Sequence, residues 1–140
     1  MSTWFYQINP KIWDQNRYRL EIWEGERWAW SVGRKVTGGQ VPQAGDVVVF
    51  FQAPTGGEDP GFYGWAVILE WFENGDEMYF RPVAPSDHLK MHPWWDQEAR
   101  TLADEIRGKF KQGTFWLVSE PLAIRLRDGI ARWLAGQRSD

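Results

Sequence analysis

At 140 residues, with 43% apolar and 25% charged residues, the chain has the size and balance of one compact domain, residues 1–140, able to bury a core without a disulfide or metal staple. It contains no cysteine, which excludes disulfides, thiol nucleophiles and cysteine metal sites, and its net charge of −3 argues against a protein that holds duplex nucleic acid mainly by neutralising phosphates. No apolar run approaches the roughly 20 residues that span a bilayer, and MSTWFYQINP lacks the basic and apolar blocks of a leader, so the default expectation is a cytoplasmic protein.

Taken in order, Thr3 to Ile8 (TWFYQI) is β-branched and aromatic and stops at Asn9-Pro10, which predicts a first strand and a turn. Pro10 suits the first turn of a short helical piece, PKIWD. Gln15 to Glu24 fits a helical stripe or an irregular strand, with helix preferred, and Gly25 ends it. WAWSV, residues 28–32, alternates strictly and reads as a strand with Trp28, Trp30 and Val32 on one face and Ala29 and Ser31 on the other. Gly33 to Gly45 is rich in glycine and reads as an exposed connection, with Arg34 and Lys35 at its start.

The stretch Val47 to Trp71 organises the rest. Two apolar runs, Val47 to Phe51 and Phe62 to Trp71, flank a Pro/Gly/Asp-rich loop, and the unbroken Val/Phe run predicts a strand buried on both faces. Asn74-Gly75-Asp76 is a tight-turn signal leading into an alternating strand over Glu77 to Val83. PSDHLKMHP, residues 85–93, is a polar loop. Asp96 is placed to cap a helix through Arg107 with Ala99, Leu102, Ala103 and Ile106 inward, and Gly108 stops it. A basic linker, a strand at Thr114 to Val118 and a last helix from Ser119-Glu120-Pro121 to Leu134 complete the chain, the helix burying Leu122, Leu126, Ile130, Trp133 and Leu134. The expected class is α+β, a small curled β-barrel of about five to six strands with flanking helices.

Eleven tryptophans among 140 residues exceed what one small core needs, so some indoles are expected at a cleft or interface. The plain reading of Trp28 and Trp30 is the core of a half-buried strand, and Asn9 and Asp14 would cap turns. His88 and His92 have helical metal spacing but sit among prolines with no evident third ligand, so no metal and no cofactor is expected. No nucleophile elbow, phosphate loop or deaminase motif is present, and Glu58-Asp59 lies in a loop, so no enzymatic activity is expected. Arg34, Lys35, Lys90, Arg107, Lys109 and Lys111 would make a local positive surface if clustered; otherwise they are solvated charges, as Asp104, Glu105 and Arg107 suggest.

The succession of Asn9-Pro10 with Trp13-Asp14, WAWSVGR, GDVVVFF, GFYGWAVILEW, LKMHPWW and KQGTFWLVS resembles an EVE-type domain of the PUA-like superfamily, related to the YTH readers of methylated adenine. The resemblance covers almost the whole chain, and its specificity lies in the order of several weak motifs. It implies a PUA-like barrel whose open end takes a modified, flipped-out nucleobase of DNA or RNA into an aromatic cage. It implies cage positions at Trp30 or Trp28, Phe62, Trp94 and Trp95, and base-edge contacts from Ser31, Asn9 and Asp14. Independently of the resemblance, those of Arg34, Lys35, Lys90, Lys109 and Lys111 that lie nearest the pocket are the expected phosphate contacts. Residues 15–27 do not align with the pattern. A monomeric stand-alone reader is implied, working with a nuclease or modification system encoded elsewhere and not with a membrane. A binder of small molecules or carbohydrates through the same tryptophan-rich cleft, and an enzyme acting on a nucleoside, remain alternatives.

Overall fold

The computed structural model describes residues 1–8, 28–31, 35–36, 40–52, 60–72, 77–84, 93–108 and 115–138. Seven strands lie in these segments: β1 (Thr3–Ile8), β2 (Trp28–Ser31), β3 (Lys35–Val36), β4 (Val47–Gln52), β5 (Gly61–Phe72), β6 (Glu77–Ala84) and β7 (Phe115–Val118). Two helices follow the middle of the sheet, α1 (Gln97–Gly108) and α2 (Glu120–Arg138). The expectations at residues 9–27, at the Asn74–Asp76 turn, over residues 85–92 and in the linker at 109–114 lie outside the described residues.

The strands form one mixed sheet in the order β2-β6-β5-β4-β1-β7-β3. β1 pairs in parallel with β4 (Thr3 with Val47, Ile8 with Gln52) and antiparallel with β7. The two strands of the organising stretch pair antiparallel, as do β5 and β6. The connection read as exposed after WAWSV contains the short strand β3, parallel to β7. Two residues carry too little alternation to register as a strand, and the partner is distant in sequence.

Side chains report the curl of this sheet. Three strand spacings separate β5 from β7, roughly 14 Å in a flat sheet at about 4.8 Å each. Yet the rings of Trp71 and Phe115 stack with centroids 6.3 Å apart, and Phe115 stacks in turn on Trp4 at 5.0 Å. The two edges β2 and β3 are joined by only residues 32–34, a link that reaches roughly 14 Å at most. Among the described residues these edges do not pair, so the sheet is curled without closing into a barrel. The α+β class is as expected, and a curled mixed sheet with flanking helices is consistent with a PUA-like architecture.

Alternation divides the apolar residues between two cores. Inside the curl lie Trp4, Val48, Phe50, Tyr63, Ala66, Ile68, Met78, Phe80 and Phe115. Between the outer face and the helices lie Phe5, Val47, Val49, Phe51, Phe62, Trp94 and Trp116, with Leu102 and Ile106 of α1 and Leu126 and Ile130 of α2. β4 serves both, and each of its six residues is buried. A bulge opposite Phe50-Phe51 inserts Tyr63, so Phe62 turns outward to the helices while Tyr63 turns inward. Asp96 caps α1 by accepting from the Ala99 amide at 2.9 Å.

At the other end of β4, Asp46 is a buried junction. Its carboxylate accepts from the Ser2 amide (2.9 Å), the Gln43 amide (3.0 Å) and the Trp4 indole (3.1 Å). The N-terminal strand is thereby tied to the start of β4, and Ile68 joins by donating to the Asp46 carbonyl at 2.7 Å.

Candidate functional site at the ends of strands β1 and β4

Because β1 and β4 run in parallel, their C-terminal ends meet, at Ile8 and Gln52, beside the start of β5 at Gly61. A strand that is apolar on both faces here ends in an amide. Gln52 follows Val48 and Phe50 on the inner face, is 0% exposed, and neither its Oε1 nor its Nε2 has a hydrogen-bond partner among the described residues. On the outer face the Oε1 of Gln7, whose backbone is in register with Phe51, is also buried and unpartnered among the described residues. Burying an amide without a partner costs about 1–3 kcal/mol on protein scales, so each such group calls for a partner, which an ordered water or a bound molecule can supply. A primary amide offers an acceptor beside two donors, the combination displayed along a nucleobase edge. Sequence reading missed both glutamines. The available signal was the final letter of VVVFFQ falling on an inward position of a strand buried on both faces.

Tyr6 shares the inner face with Gln52, its ring 6.2 Å from Phe50 and 6.0 Å from Phe115. Desolvation pushes its phenol up to about 12, so it is a neutral hydroxyl over the physiological range.

Three of the five aromatic candidates, Phe62, Trp94 and Trp95, lie on the outer side of the sheet. Phe62 and Trp94 are 1% and 2% exposed and belong to the core under the helices. They are joined by a two-way backbone bridge, Phe62 N–H donating to Trp94 O at 3.1 Å and Trp94 N–H to Phe62 O at 2.9 Å, with rings 5.6 Å apart. The six-membered ring of Trp94 lies against Gly129 of α2, where a Cβ would overlap it. Gly61, at φ 136°, is equally constrained, since a Cβ there would stand 2.7 Å from the Trp94 carbonyl oxygen. Phe62 and Trp94 thus act as packing residues that hold the start of β5 against α2. Trp95 is half-buried on the same outer side, 5.8 Å from the Phe51 ring.

β2 is described by its backbone. Its register pairs Trp28 with Phe80 and Trp30 with Met78, the inward residues of β6, and Ser31 with Glu77. Trp30, Met78 and Trp71 make one row across β2, β6 and β5, and Trp71 is the residue that reaches Phe115 across the curl. Lys35 pairs with Phe115 at the β3 edge. Asn9, Asp14, Arg34, Lys90, Lys109 and Lys111 lie outside the described residues.

Charge on α1 is segregated in a way the sequence reading did not anticipate. Glu98 and Glu105 face α2 and bind Arg132 and Arg125 at 3.0 and 3.1 Å. Arg100 and Arg107, also seven residues apart, occupy the other flank, with guanidinium carbons 5.7 Å from the rings of Trp95 and Phe51. Arg107 is therefore not one solvated face with Glu105. Among the described residues no group of three or more His, Asp or Glu is placed to hold a metal ion, and no helix is long and apolar enough to cross a membrane.

No protein-family model matches the chain, and no curated protein matches it. Solved structures do match, along nearly its full length. A protein from Pseudomonas putida is 10% identical over 91% of this chain and 99% of its own, with a TM-score of 0.55. A hypothetical protein from Leishmania major is 12% identical over 99% of this chain and 97% of its own, with a TM-score of 0.52. The human THYN1 protein, solved in complex with 5-methylcytosine-containing DNA, is 10% identical over 89% of this chain and 98% of its own, with a TM-score of 0.48. The likeness to the first two is one of fold.

Proposed function

We propose that the chain is a non-catalytic, EVE-type nucleic-acid-binding module that takes a modified base, flipped out of its strand, into the inner face of the curled sheet at the β1/β4 mouth. The observation that carries this reading is the Gln52 side chain, fully buried, with acceptor and donors unpartnered among the described residues. A base edge would satisfy both halves of that amide, offsetting part of the few kcal/mol that flipping costs. Trp28 and Trp30, in register with the inward residues of β6, are the proposed stacking walls, each worth about 1–3 kcal/mol per base. In this reading Phe62 and Trp94 support the wall from behind, Trp95 lies outside it, and Asn9 and Asp14 add polar contacts.

The test is a fluorescence titration of the full chain with oligonucleotides containing 5-methylcytosine, N6-methyladenine or the unmodified parent bases. At least one modified base should bind several-fold tighter than its parent, and the preference should vanish in Trp30→Ala and in Gln52→Leu while both variants stay folded. Equal binding of every modified base and its parent would end the reading.

A further inference from the structure

We infer that the flank of α1 bearing Arg100 and Arg107, together with Trp95, is a contact strip for the phosphodiester backbone of the strand whose base enters the mouth; the inference rests on the proposed base-binding reading. Three contacts join four side chains without a break: Arg100 over Trp95 at 5.7 Å, Trp95 beside Phe51 at 5.8 Å, and Arg107 over Phe51 at 5.7 Å. Phe51 is followed by Gln52, so the strip begins one residue from the proposed reading position, on the other side of β4.

Three observations point to phosphate as the missing partner. A guanidinium held over a ring by a cation–π contact spends no N–H on a carboxylate, leaving its donors for a phosphate, which it can bind in a fork. Among the described residues neither arginine makes an ion pair with a carboxylate, although Asp104 lies one helical turn from each. The other carboxylates of the helix, Glu98 and Glu105, stand two residues from the arginines on the far flank and are engaged with Arg132 and Arg125. In a chain of net charge −3, attraction for a polyanion has to come from such a local patch.

The experiment is fluorescence anisotropy of labelled DNA and RNA strands of one sequence, with and without a central 5-methylcytosine, titrated with the full chain at increasing sodium chloride. Arg100→Gln/Arg107→Gln should reduce the slope of log affinity against log salt by about 1.4, two phosphate contacts at about 0.7 each for a single strand. Arg100→Gln alone, at an exposed position, should reduce it by about half of that. Arg125→Gln/Arg132→Gln removes the same charge from the opposite flank and should leave the slope unchanged. An undiminished slope in the first double variant, equal losses in both double variants, or no binding of either strand by the parent protein would overturn the strip. Loss of slope without any modified-base preference in the parent would retain the strip and remove the base-reading function. Preference without loss of slope would do the reverse.

Discussion

The indole N–H of Trp4 donates to Oδ2 of Asp46 at 3.1 Å, between residues 42 apart in sequence. The same carboxylate accepts from the Ser2 and Gln43 amides, so one buried side chain satisfies donors from the first strand and from the turn before the fourth. Asp46→Ala leaves three donors without their acceptor and should destabilise the protein by at least about 3 kcal/mol. Asp46→Asn keeps one acceptor oxygen and should cost about half as much. Urea denaturation of the three proteins checks the order.

Gly129→Ala should also destabilise, by about 1–3 kcal/mol, although alanine is the better helix former by about 1 kcal/mol. The added methyl meets the Trp94 ring, whose backbone is pinned to Phe62 and cannot retreat. Gly136→Ala, with nothing within 4 Å of the new Cβ, should gain up to about 1 kcal/mol in the same assay. A stabilised Gly129→Ala protein would show that Trp94 does not lie against α2.

Gln52→Leu should raise stability by about 1 kcal/mol or more even as it abolishes base preference, because it replaces an unpartnered buried amide with an apolar group of similar size. The midpoint of chemical denaturation is the readout. A clear loss of stability would mean that the amide has a partner within the protein.

The Tyr6 phenol gives the fold a specific alkaline weakness. Its value is about 12 in the fold against an ordinary 10, so the folded state holds the proton more tightly than the unfolded chain does. The resulting stability is complete below pH 10 and declines as pH rises towards 12, by about 2–3 kcal/mol in all. Denaturation across pH 9 to about 12 should show this loss in the parent protein and not in Tyr6→Phe.

Much of the architecture was legible because it rests on local signals. Asp96 and the 99, 102, 103, 106 stripe define α1, and the Val/Phe run of β4 announces burial on both faces. Pairing between distant segments left no such mark: neither the parallel union of β1 with β4 nor the two-residue β3 has a signature in neighbouring residues. The alternation of WAWSV predicts a strand, and β2 forms there at Trp28–Ser31. An aromatic ring that packs a core and one that waits for a ligand use the same letters, however, and Phe62 and Trp94 are distinguished only by what lies against them. Gly129, 35 residues beyond Trp94, is the other half of that contact and carries no local hint of it. Gln52 was hidden in the opposite way, since a polar letter at the end of a strand looks like an ordinary exit to solvent.

The position of β1 between β4 and β7 bears on how the chain reaches its native state. Thr3 pairs with Val47 on one side and Val118 on the other, so β1 waits for two partners that are both synthesised well after it. Until β7 emerges, one edge of TWFYQI is an unprotected aromatic ladder. Folding dominated by such distant closures is slow, and its intermediates are prone to edge-to-edge association. Recombinant yield should therefore depend on growth temperature and chaperone supply more than the finished fold, with β1 secured on both sides, would suggest.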